Sequence, residues 1–216
     1  MQRADDGYEL ETEIKLIISK IQYSNLVKFI SVDGNVLPVN HQTICVSGYK
    51  QKKRFYRDFD TRTHGLMGQH ASLTARDRGI DYAVTSKFLS QQSNSRHEYT
   101  ASVETAYGQF DIVNFLSLDI EPVEKAREVI HGEEIVKVLR RNVLTNRANL
   151  YADKRCIAEL AVDNVIVQHS KEAGSLEFFE LEIESKSGEC DLSSISLAIQ
   201  GIFGQPLKGS TFIFFF

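Results

Sequence analysis

Three stretches of this 216-residue chain carry charged side chains at every second position. Glu11, Glu13 and Lys15 form an E-x-E-x-K run, Arg76 and Arg78 flank Asp77, and Glu180, Glu182 and Glu184 alternate near the end. Successive side chains of a β-strand point to opposite faces, so each set occupies one face of its strand, with Leu10, Ile14, Leu181 and Ile183 on or near the other. An ordinary antiparallel sheet with one solvated face alternates in the same way. What distinguishes this chain is that clustered carboxylates accompany clustered arginine and lysine. Such a charged face suits an interior cavity that holds metal ions and a polyanion.

At this length, with 42% hydrophobic content, the chain can bury one substantial core, so a single domain over residues 1–216 is expected. The formal net charge of -4 argues against a general nucleic-acid or membrane-surface binder and leaves room only for a local anion site. Cys45, Cys156 and Cys190 are odd in number and widely spaced, which predicts reduced, mostly buried thiols. Neither a signal pattern nor a membrane-length apolar run is present, so the expected location is cytoplasmic and the expected assembly a monomer or homodimer. The closing run of Phe212 to Phe216 is too short to span a bilayer and predicts a strand end or core contact.

Alternation predicts strands over 8–18, 72–78, 82–89, 97–104, 143–151, 156–167 and 176–186. Helical spacing predicts helices over 23–31, over 123–139 with an interruption near His131-Gly132, and over 193–203 behind an Asp191 or Ser193 cap. The stretch 36–49 reads as irregular. Lys50, Lys52, Lys53, Arg54 and Arg57 read first as a solvated loop or strand edge and second as a phosphate-recruiting patch. Roughly eight strands and a few helices predict an α+β fold, an antiparallel sheet curled into a barrel or tunnel with helices outside.

Carboxylates clustered from two strands are costly to bury unless a cation neutralises them, and hard divalent ions take oxygen ligands. Glu11, Glu13, Glu180, Glu182 and Glu184 could supply such a site, while Arg76, Arg78, Lys87, Arg96 and Arg147 could fork onto phosphate oxygens. The implied ligand carries several phosphates, and metal-assisted hydrolysis is the simplest reaction. No phosphate-loop, dinucleotide, zinc-protease or nucleophile-elbow motif occurs. The six histidines are scattered and read as solvated or structural.

The order of these elements resembles the CYTH family of triphosphate tunnel metalloenzymes, especially its bacterial inorganic triphosphatases. The resemblance runs through Glu11-Thr12-Glu13-Ile14-Lys15, Asp58-Phe59-Asp60-Thr61, Arg76-Asp77-Arg78, Thr85-Ser86-Lys87, Arg96-His97-Glu98-Tyr99, Arg147, Glu159 to Asp163, and Glu180 to Gly188. It implies an eight-stranded antiparallel tunnel that hydrolyses the terminal phosphate of inorganic triphosphate with Mg2+ or Mn2+. Carried over by position, Lys15, Arg76, Arg78, Lys87 and Arg147 would bind phosphate, with Lys208 or Lys186 as a late tunnel lysine. Glu11, Glu13, Glu98, Asp163, Glu180 and Glu182 would hold metal or its water, with Glu11, Glu13 and Lys15 nearest the chemistry. Two positions depart from the family pattern: Asp58 replaces an aromatic residue, and Asp77 replaces an apolar one. A class IV adenylyl cyclase, a thiamine triphosphatase and a non-catalytic polyphosphate- or nucleotide-binding module are the alternatives on the same fold. The cyclase reading lacks the His-Phe pair expected before Glu11, and the thiamine reading lacks tryptophan.

Overall fold

The computed structural model describes residues 9–89, 95–104, 116–169, 174–186 and 190–207. Nine strands and four helices occur among them: β1 (Glu9–Ile18), α1 (Lys20–Ile30), β2 (Val36–Val39), β3 (Gln42–Thr61), α2 (Gly65–Gly68), β4 (Ala71–Asp77), β5 (Asp81–Leu89), β6 (Ser95–Glu104), α3 (Glu121–Ile130), β7 (Ile135–Ala152), β8 (Arg155–His169), β9 (Leu176–Ser185) and α4 (Leu192–Phe203). The strands form one sheet in the order β2-β3-β4-β5-β6-β1-β9-β8-β7, and β7 pairs again with β3. That last pairing returns the ladder to β3, so eight strands close into an antiparallel tunnel. β2 is the ninth strand and adds to the start of β3 through Val36↔Cys45 to Val39↔Gln42.

The region expected to be irregular, and the basic run after it, are instead β2 and the 20-residue β3. β3 pairs with β7 over most of its length, and this backbone ladder outweighs a polar composition that in isolation reads as loop. Gly48, at φ 73, sits where the register shifts between Ser47 and Lys50. The expected long helix stops at Ile130, because His131 and Gly132 take the left-handed values φ 53 and 88. Residues 135–139, expected to be helical, begin β7. Helix α1 starts three residues before its expected position because Ser19 and Gln22 form a reciprocal capping box. Asp191 caps α4, its side chain accepting from the Ser194 amide.

Helices α1 and α4 cover one apolar cluster outside the tunnel, around Leu26, Ile30, Leu160, Leu181, Ile183, Ile195 and Ile199. Helices α2 and α3 cover a second, around Phe59, Leu66, Leu73, Val84, Val123 and Ala126. Asp60 holds α2 in place: its Oδ1 accepts from the Thr61 and Leu66 amides and its Oδ2 from Met67. The Asp-Thr pair of the 58–61 segment therefore serves a turn and not the tunnel. Under α1, the fully buried Asn146 accepts from Tyr49 and Gln51 and donates to Tyr23 and the Val162 carbonyl, which satisfies its amide. No helix among the described residues is long and apolar enough to cross a membrane. The three cysteines are free, and Cys45 is exposed where a buried thiol was expected, because it lies on the outer strand pair β2–β3.

Candidate active site

The tunnel encloses a cavity of about 350 Å³ whose lining is dominated by charge. Strand alternation explains why. Inward positions on β9 are Phe178, Glu180, Glu182 and Glu184, those on β8 are Glu159, Ala161, Asp163 and Val165, and those on β7 are Arg141, Val143, Thr145 and Arg147. On the opposite wall, β3 contributes Arg54 and Tyr56, β4 contributes Ser72, Thr74 and Arg76, β5 contributes Thr85 and Lys87, and β6 contributes Glu98 and Thr100. Most carboxylates thus come from β8 and β9, and most fixed positive charge from β3, β4, β5 and β7.

Lys15 on β1 reaches into the acidic side. Its Nζ donates to Glu182 Oε2 at 2.8 Å and lies 3.5 Å from Glu13 Oε2, so it bridges the first and last acidic strands, whose register places Lys15 opposite Glu182. Burial pushes the Lys15 ammonium down, but Glu182, Glu13 and Glu180 outweigh it and hold its pKa well above the usual lysine value. Burial likewise pushes Glu182 up, and the charges of Lys15 and Lys87 overcome it, leaving that carboxyl at about 2. Asp163 goes the other way: burial, then repulsion from Glu182 and Glu180, raises its carboxyl to about 7.

Further ion pairs line the walls. Lys87 Nζ lies 2.9 Å from Glu98 Oε2, Arg147 Nη1 3.0 Å from Glu159 Oε1, and Lys186 Nζ 2.6 Å from Glu184 Oε1. Arg54 and Arg76 line the cavity and have no ion-pair partner among the described residues. Arg78 follows the end of β4, is exposed, and donates to Asp81 and Ser102, so it lies outside the lining that takes in Arg76. Asp77 also points outward, its Oδ1 accepting from the Gly79 amide to shape the turn.

The strands therefore bring Lys15, Arg76, Lys87, Arg147, Glu98, Asp163, Glu180 and Glu182 to one cavity, with Glu13 beside it through Lys15. Glu11 is in β1, opposite Arg96. The side chains of both, and Lys208 entirely, lie outside the described residues. Sequence reading put Arg54 in a solvated loop or strand edge, with a phosphate-recruiting patch second, and missed Tyr56 and Arg141. The available signal was Asp58: a carboxylate in phase with the tunnel interior needs a cation, and Arg141 supplies it.

The divalent cation implied by the sequence resemblance fits the residues present in one respect. Asp163 Oδ1 is buried without a hydrogen-bond partner, and it stands opposite Glu180 in the β8–β9 register. Hard cations take such oxygen donors. Among the described residues no three His, Cys, Asp or Glu side chains converge tightly enough to hold an ion as they stand; Lys15 bridges Glu13 and Glu182 instead.

No protein-family profile and no curated protein matches the sequence. Solved structures do match in shape. A putative adenylate cyclase from Bacillus halodurans aligns over 93% of this chain and 94% of its own, with a TM-score of 0.57 at 15% identity. A putative adenylyl cyclase from Hippeastrum, described as revealing a dominant triphosphatase activity, aligns over 90% of this chain and 88% of its own, with a TM-score of 0.54 at 17% identity. The class defined is thus an α+β fold with an antiparallel β-tunnel and helices outside it, a fold shared with these proteins. At such identities the likeness carries the fold and leaves the activity to be argued from the site.

Proposed function

We propose that the protein is a metal-dependent phosphohydrolase that removes the terminal phosphate of inorganic triphosphate inside the tunnel. One observation carries this reading: one cavity is lined by Arg54 and Arg76, which have no ion-pair partner among the described residues, on one wall and by stacked carboxylates on the other. The first wall suits a chain of phosphates and the second a cation that shares its charge. Polar and charged groups make up most of the lining, so the phosphate chain itself is the recognised part.

Arg76, Arg147 and Lys87 would orient the phosphate oxygens, the arginines through paired hydrogen bonds. Lys15, kept charged by three carboxylates, would exchange its Glu182 contact for a phosphate oxygen and neutralise charge developing in the transition state. Mg2+ or Mn2+ held by Glu13, Asp163, Glu180 and Glu182 would add Lewis-acid polarisation and acidify water. In the reaction the oxygen of water bonds to the terminal phosphorus and the bridging P–O bond breaks. Pyrophosphate departs, and the proton of the water passes to a carboxylate of the acidic wall.

The test is phosphate release from inorganic triphosphate, pyrophosphate, ATP and thiamine triphosphate with either metal, beside a Glu13→Gln control. Metal-dependent release from triphosphate that disappears in the control supports the reading. Cyclic AMP and pyrophosphate from ATP, without phosphate release from triphosphate, would replace it with a cyclase.

A further inference from the structure

Building on the triphosphatase reading, we infer that the tunnel is blind, so that a phosphate chain enters end-first through one mouth, and that Arg54 grips its leading phosphate at the floor. The two ends of the tunnel differ. At one end the inward side chains are sealed: Asp58, Val143 and Val165 are 2%, 3% and 3% exposed. Val143 stands opposite Val165, and Val165 opposite Phe178, which makes an apolar row across β7, β8 and β9. Arg141 donates twice to Asp58 across β3 and β7, and its guanidinium lies 4.9 Å from the Tyr56 ring centroid. At the other end the side chains are wetter, with Arg147 29% and Lys186 36% exposed.

A phosphate chain could pass the sealed end only by parting a bidentate ion pair whose carboxylate is buried and pressing unpaired charge against valine, both unfavourable. It therefore enters by the mouth and stops at the floor. Arg54 stands level with this floor, opposite Val143 in the β3–β7 register, and both line the cavity. The lining lysines are engaged by carboxylates, whereas Arg54 has no carboxylate partner among the described residues, so its N–H donors can turn to phosphate oxygens. Nothing in the alternation of the charged strands alone would have assigned it.

The experiment gives the full chain, with Mg2+ or Mn2+, inorganic triphosphate and separately a long linear polyphosphate, and follows products by gel and phosphorus NMR. End-first entry predicts one orthophosphate and one pyrophosphate from each triphosphate, and orthophosphate as the only small product released from the long chain as it shortens one phosphate at a time. Each turnover breaks one terminal P–O–P bond and adds one water. Mid-chain fragments of the long polymer alongside normal triphosphate turnover would overturn the blind tunnel alone. No turnover of triphosphate by the wild-type chain would overturn the proposed function and this inference with it. Arg54→Ala, checked for an unchanged melting curve, is expected to raise KM for triphosphate roughly tenfold or more, with a smaller fall in kcat and partial rescue by Arg54→Lys. An unchanged KM removes Arg54 from the site.

Discussion

The Asp58 carboxylate and the Arg141 guanidinium meet across β3 and β7 through two parallel hydrogen bonds, Nε to Oδ2 at 2.7 Å and Nη2 to Oδ1 at 2.6 Å. Burial works against the Arg141 charge, but Asp58 more than compensates, and the guanidinium pKa rises above its usual value. Removing one partner strands the other. Asp58→Ala is expected to cost roughly 3–5 kcal/mol in urea unfolding, whereas Asp58→Ala with Arg141→Met should recover much of the loss. Losses from Asp58→Ala and Arg141→Met that simply add in the double variant would show that the pair is not coupled.

Lys15 links the acidic strands from the inside, touching Glu182 and lying near Glu13. Lys15→Met keeps the aliphatic stem and removes the charge. If the ammonium stabilises charge on the phosphate, kcat/KM for triphosphate should fall roughly 100-fold or more. A loss confined to thermal stability, with kcat/KM intact, would give Lys15 a structural role only.

Much of this site was legible because inward charge leaves a period-two trace. The E-x-E-x-K run, Arg76, Lys87 and the late glutamates all lie on strands whose other face is apolar, as with Leu181 and Ile183 in the core. β3 was not legible, because its polar side chains mask the strand and its stability comes from the β7 ladder, a partner more than 70 residues away. Arg141 was hidden for a related reason: the 135–139 segment has helical spacing, and only the left-handed His131 and Gly132 reset the chain to a strand. Ring closure is a pairing fact that no local pattern reports.

Asp163 makes stability depend on pH. Its folded pKa is about 7, whereas an unfolded aspartate titrates at about 3.9. Between those values the folded chain holds a proton that the unfolded chain has released, so this contribution is full at the acid end of the interval. It is lost as pH rises to about 7 and is flat above. In the absence of divalent cations, Asp163→Asn should therefore gain stability relative to wild type as pH rises from about 4 to 7. The change between the two ends is up to about 4 kcal/mol. Parallel stability–pH curves for the two proteins would show that the carboxyl titrates normally.

Arg76 and Arg78 differ by two positions yet meet different surroundings, and their alanine variants should separate. Arg76 lines the cavity without an ion-pair partner among the described residues, whereas Arg78 lies past the end of β4 and is tied to Asp81 at 3.4 Å and Ser102 at 3.3 Å. A guanidinium that forks onto phosphate contributes through charge-assisted hydrogen bonds, while an exposed ion pair contributes little to stability. Arg76→Ala is expected to raise KM and lower kcat/KM for triphosphate roughly tenfold or more. Arg78→Ala should change both by much less and leave the melting temperature nearly unchanged. Steady-state kinetics on both variants decide the matter: equal effects would place Arg78 on the substrate path, and no effect from Arg76 would remove it from the site.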